Sequence, residues 1–89
     1  MTIEGELYKL KPISDSSPFY DLELLYDIGG KNPRQEFKVE CYGITLENAL
    51  SRICNYYINK NHKDEAITLK QFVKEYKEAL ENFREEIFS

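Results

Sequence analysis

The side chains of this chain that could ligate a metal or attack a substrate are few: Cys41, Cys54, His62, Asp64 and Glu65. A zinc site draws on close ligand pairs, because one short turn must aim two donors at one ion. Here the cysteines lie 13 positions apart. Both fall on apolar periods, where a thiol behaves as a small hydrophobe. His62 is the only histidine and stands in the polar run NKNHKDEA, residues 59–66. Nucleophilic catalysis needs a nucleophile, a base and an orienting group held on rigid elements. The chain contains no G-x-S-x-G or H-E-x-x-H signature, and Gly29-Gly30 lacks the flanking residues of a phosphate loop. His62 therefore reads as a solvated loop residue and the glycine pair as a turn. The expectation is no enzyme, no catalytic residue, no metal and no cofactor.

Charge offers more. Asp21, Glu23 and Asp27 fall on one side of an extended segment, and Glu40 lies on the next. Together they suggest an acidic face that recognises a protein partner by complementary charge. The opposite alternative is a nucleic-acid surface built from Lys31, Arg34 and Lys38 with Tyr42, since stacked bases want an aromatic beside basic groups. It is disfavoured, because Glu36 and Glu40 interleave with those bases and the chain carries a net charge of −4 with a pI near 5. The charge is also uneven: residues 1–30 hold six acids against two lysines, and residues 31–60 hold five bases against three acids.

The elements that must position these groups follow from periodicity. At 42% hydrophobic and 31% charged residues, the 89-residue chain has the composition of one globular domain rather than a disordered segment. A strand is expected over residues 3–11, although neither face of IEGELYKLK alternates cleanly. PISDSSP, residues 12–18, is turn chemistry. FYDLELLYDI, residues 19–28, alternates with period two: Tyr20, Leu22, Leu24, Tyr26 and Ile28 on one face, Asp21, Glu23 and Asp27 on the other, with Phe19 and Leu25 as exceptions. After the turn GGKNP comes a return strand over residues 35–42, with Phe37, Val39 and Cys41 expected to face inward and Lys38, Glu40 and Tyr42 outward. Gly43 is expected to break it.

Two helices complete the pattern, over residues 45–60 and 68–87. Each starts at an Ile-Thr-Leu triplet. Thr45 and Thr68 are N-cap residues whose hydroxyls can accept from the backbone N–H groups that open a helix, and Thr68-x-x-Gln71 fits a capping box. The repeated triplet is thus a repeated helix start rather than a doubled binding motif. The second helix has a narrow apolar stripe and ends on Glu81, Glu85 and Glu86. The first has an apolar face about half its circumference wide, with Cys54, Tyr56 and Ile58 as the surplus that could form an oligomer face. The expected fold is α+β: a three-stranded antiparallel meander followed by two helices packed on one face.

The stretch VECYGITLENALSRICNYYI, a polar gap and then ITLKQFVKEYKEALENFREEI resembles small proteins encoded by phages and prophages of Gram-positive bacteria, over about residues 37–87. Those proteins end a hairpin in an aromatic, open a helix with Thr/Ser-Leu-x-x-Ala-Leu and close on a Lys/Glu-rich amphipathic helix. The resemblance implies an accessory role, such as antagonising a host or defence protein, and carries over no catalytic residue. No apolar run follows Met1 and none reaches 18 residues, so a cytoplasmic chain without a membrane span is expected. The sequence thus points to a non-enzymatic accessory protein that binds a protein partner. Nucleic-acid binding and self-assembly into a homo-oligomer are the alternatives.

Overall fold

The computed structural model describes residues 2–88. Its elements run β1 (Ile3–Glu4), β2 (Tyr8–Pro12), β3 (Phe19–Ile28), β4 (Arg34–Thr45), α1 (Leu46–Asn61) and α2 (Leu69–Phe88). The class is α+β, with one antiparallel sheet ordered β1-β2-β3-β4. The sheet has four strands rather than the three expected. The chain divides into two compact units, the first ending at Ala49 and the second starting at Leu50.

The extra strand comes from a reversal inside the expected first one. Ile3 pairs with Leu10 and Glu4 with Lys9, so residues 3–11 fold back on themselves. The Gly5 N–H donates to the Tyr8 carbonyl at 3.0 Å across the turn. The absence of clean alternation in IEGELYKLK is the trace of this turn: the period-two pattern restarts at Tyr8. From there it is regular. Tyr8 pairs with Leu24 and Leu10 with Leu22, and all four side chains are buried. Directly paired residues of an antiparallel ladder share a face, so these four define the buried face of the sheet. The three leucines each contribute about 1.5–3 kcal/mol by leaving water.

β3 has the bounds its alternation demands. β4 is longer than expected, because Gly43 does not end it. Tyr20 pairs with Ile44 and Leu22 with Cys41, so β4 spends one more residue than β3 over that step. That extra residue is a β-bulge, and Gly43 sits in it at φ +63°, a conformation open to glycine. A second bulge lies between the Leu22–Cys41 and Glu23–Val39 pairs. It moves Glu40 out of the regular ladder and inverts the parity of everything before it. Cys41 shares the face of Leu22, as expected. Phe37 and Val39 do not: they pair with Leu25 and Glu23, on the open face, while Lys38 pairs with Leu24 on the buried-face side. One added residue turns every earlier side chain to the opposite face.

The strand runs straight into α1. Thr45 is the last residue of β4, and its Oγ1 accepts from the Asn48 N–H at 3.3 Å. Thr68 does the same for Gln71 at 3.1 Å at the start of α2. The two caps are each worth about 1 kcal/mol and account for both Ile-Thr-Leu triplets. Ala49, Leu50, Ile53, Cys54 and Ile58 of α1 are buried, against Ala79 alone on the described part of α2. Within the second unit, Ser51 Oγ and the Tyr76 hydroxyl lie 2.8 Å apart, and Tyr57 meets Phe83 edge-on at 5.4 Å. Among the described residues, no helix is long and apolar enough to cross a membrane.

Candidate functional site

β2, β3 and β4 together present an open sheet face. Register places Lys9, Lys11, Phe19, Asp21, Glu23, Leu25, Asp27, Gln35, Phe37 and Val39 on it. The three acids expected there are present, but each has an intramolecular partner. Asp21 Oδ1 accepts from the Gly43 N–H at 3.0 Å and so satisfies the bulge. Glu23 forms a 2.7 Å ion pair with Lys11. Asp27 accepts from Gln35 Nε2 at 2.9 Å. The Lys11 ammonium is held above its ordinary pKa by its hydrogen bond to Glu23 and by that carboxylate's charge. Lys9 lies 4.3 Å over the Phe37 ring, a cation–π contact. Lys9 stands directly opposite Glu23, and Lys11 opposite Asp21, so the face alternates in sign. Glu40, the fourth acid, accepts at 2.6 Å from the hydroxyl of Tyr26, a residue of the opposite face.

The basic set is likewise divided. Lys31 is exposed in the turn between β3 and β4. Arg34 and Lys38 share one face with Glu36 between them, and Arg34 Nε donates to Glu36 Oε1 at 2.8 Å. Tyr42 is a different matter: it lies between the paired residues Cys41 and Ile44, at the bulge, and is 76% exposed. The hairpin end holds an open depression of about 380 Å³ lined by Asp27, Ile28, Gly29, Pro33, Arg34 and Gln35. The charged groups on its rim are the ones already engaged with Gln35 and Glu36.

What stands out on the sheet is apolar. Ile13 (55% exposed), Phe19 (43%), Val39 (44%) and Tyr42 (76%) all show large hydrophobic side chains to solvent. Ile13 and Phe19 are joined by a backbone bond of 3.2 Å from the Ile13 N–H to the Phe19 carbonyl. The Ile13 Cδ1 lies 3.5 Å from where a Cβ on Gly43 would be, one residue from Tyr42. Ile13, Phe19 and the Tyr42-Gly43 bulge therefore form one corner of the sheet. The signal for this corner was in the sequence at Phe19, which broke the polar face of β3; Leu25, the other exception, pairs with Phe37 nearer the hairpin. Ile13 left no signal, because it looked like part of a turn.

The remaining expected groups are placed as follows. Cys54 and Ile58 are buried, and Tyr56 is half-buried, so of the suggested oligomer face only Tyr56 reaches the surface. Burial pushes the Cys54 thiol up to about 11, which keeps it protonated and poor as a nucleophile. His62 is not a solvated loop residue. Its side chain is 17% exposed, and both ring nitrogens meet carboxylates: Nδ1 lies 3.3 Å from Glu65, and Nε2 lies 2.7 Å from Glu75. Glu75 first, then Glu65, raises its pKa above the ordinary value. Glu65 stands at i+3 and was visible as a neighbour. Glu75 comes from α2 and was not. Among the described residues, no group of three or more His, Cys, Asp or Glu is arranged to hold a metal ion. No family model matches this chain, and neither does any curated protein or solved structure.

Proposed function

We propose that this chain is a non-enzymatic domain that binds a protein partner through the Ile13–Phe19–Tyr42 corner and the adjoining open face of the sheet. It acts in the accessory capacity that the resemblance to small phage and prophage proteins implies. The observation that carries the reading is the exposed apolar corner. A contiguous apolar surface rimmed by polar groups is the usual mark of a protein contact, and aromatic side chains dominate the energy of such contacts. The charges serve as a rim. Asp21 and Glu23 stand opposite Lys11 and Lys9, and Asp27 opposite Gln35, so the acids set the orientation of an incoming surface rather than draw in a uniformly basic one. This favours a protein over a nucleic acid, whose phosphates need an uninterrupted basic track.

Affinity capture from the native cell tests the reading, with the wild-type chain compared against Phe19→Ser and Tyr42→Ser. Both variants should lose the captured partner while their thermal midpoints stay close to wild type. Recovery of the same partner at wild-type levels with both would rule the corner out. Glu23→Gln with Asp27→Asn should weaken capture in a salt-dependent manner without abolishing it. Asp21 is left intact in that pair because it holds the bulge.

A further inference from the structure

We propose that the free edge of β4 is a self-association surface, at which two copies of this chain pair antiparallel about a two-fold axis through Phe37. β4 is the last strand of the sheet. Among the described residues, its outer edge has no strand beside it. The other edge, β1, is two residues long and offers little to pair with. An unpaired edge is a row of N–H and C=O groups ready to template another strand. Over Arg34–Val39 the ladder to β3 steps one residue for one, without a shift, so that part of the edge is regular. The bulge at Glu40 ends it.

The occupant is identified by charge. The stretch reads Arg34-Gln35-Glu36-Phe37-Lys38-Val39-Glu40, which is antisymmetric in sign about Phe37. In an antiparallel pairing centred there, Glu36 faces Lys38 of the second copy within the regular stretch, and Arg34 lies toward Glu40 at the bulge that ends it. The Glu36–Lys38 pair recurs on the other side of the axis, so the charges nearest the axis meet their opposites. The neighbouring in-phase registers fail. Centring on Glu36 sets Glu36 against its own copy and Arg34 against Lys38. Centring on Lys38 sets Lys38 against its own copy. Like charges directly opposite destabilise a ladder as opposite ones stabilise it. The two Phe37 rings meet at the axis on the open face, where Phe37 already carries Lys9 at 4.3 Å. The bulge limits the shared ladder to this short stretch, which makes the dimer weak and dependent on concentration. The inference is independent of which protein occupies the Ile13–Phe19 corner.

Sedimentation equilibrium tests it. The wild-type chain should form dimers whose dissociation constant rises with salt, because the charge pairs are exposed. Lys38→Glu places two carboxylates opposite each other on both sides of the axis and should weaken the dimer about tenfold or more. Adding Glu36→Lys to it restores complementarity and should restore the dimer. A wild-type chain that stays monomeric up to about 0.5 mM, or a Lys38→Glu dimer as tight as wild type, would overturn the proposal. A second measurement covers poor folding of the charge variants. Phe37→Cys in a Cys41→Ser background places two thiols across the axis at a Cα spacing of about 4.5–5.5 Å, within disulfide range. It should cross-link to a covalent dimer on mild oxidation. Val39→Cys in the same background lies about 14 Å from its own copy and should not. Equal cross-linking of both variants, or of neither, contradicts the Phe37 register.

Discussion

Asp21 illustrates how one side chain's role is set by a contact its neighbours in sequence do not announce. Read along the strand, it is one of three acids on a polar face. In the fold it accepts the N–H of Gly43, 22 positions on, at the point where β4 gains a residue. Asp21→Ala should therefore lower stability by about 1 kcal/mol, the usual net value of such a bond, whereas Asp21→Asn keeps an acceptor oxygen and should lose less. Urea unfolding of the two variants checks this, and equal losses would remove the hydrogen bond as the cause. His62 makes a similar point through its charge. Ionised carboxylates only accept, and a neutral imidazole has a single N–H. Contacts to Glu65 and Glu75 through both nitrogens are fully satisfied only by the imidazolium, in agreement with its raised pKa. A folded-state pKa above the unfolded value stabilises the fold fully below about pH 6.5 and loses that contribution as pH rises through the folded value. The thermal midpoint of His62→Gln should thus fall further below wild type at about pH 6 than at about pH 9. A difference independent of pH would show that packing, not charge, is what His62 supplies.

At the scale of elements, the bulges in β4 do the most. The bulge at Glu40 decides which of Phe37, Lys38 and Val39 face the open side, and the one at Gly43 lets the strand continue to the Thr45 cap. Gly43→Ala should cost about 1–2 kcal/mol, because a Cβ at φ +63° is strained, while the space beside it is sufficient: Ile13 Cδ1 would lie at ordinary contact distance. A chemical denaturation midpoint unchanged from wild type would place the strain elsewhere. The helices were more legible. Thr caps and 3.6-residue periodicity are local signals, and both helix starts fall within a residue of where the triplets put them. β3 was legible for the same reason. The turn within residues 3–11 was not, since Gly5 offers no signature beyond a break in alternation.

For the molecule as a whole, two surfaces of the sheet are separable. The apolar corner lies where β2 meets β3 and the Gly43 bulge, and the β4 edge from Arg34 to Glu40 lies toward the hairpin. Phe19→Ser should abolish partner capture and leave sedimentation unchanged. Lys38→Glu should shift sedimentation and leave capture of a partner held by the corner intact. One variant moving both readouts would mean that partner binding and self-association use a common surface. The sequence by itself determined the α+β class, the bounds of β3, the two helix starts and the position of Asp21, Glu23 and Asp27 on one face. All of these depend on interactions within a few residues or on strict period-two alternation. Tertiary structure alone decided the fourth strand, the face of Phe37 and Val39, the intramolecular partner of each acid and the contact of His62 with Glu75. Each of those rests on register or on a contact between distant segments, and a single inserted residue in one strand reverses which side chains meet.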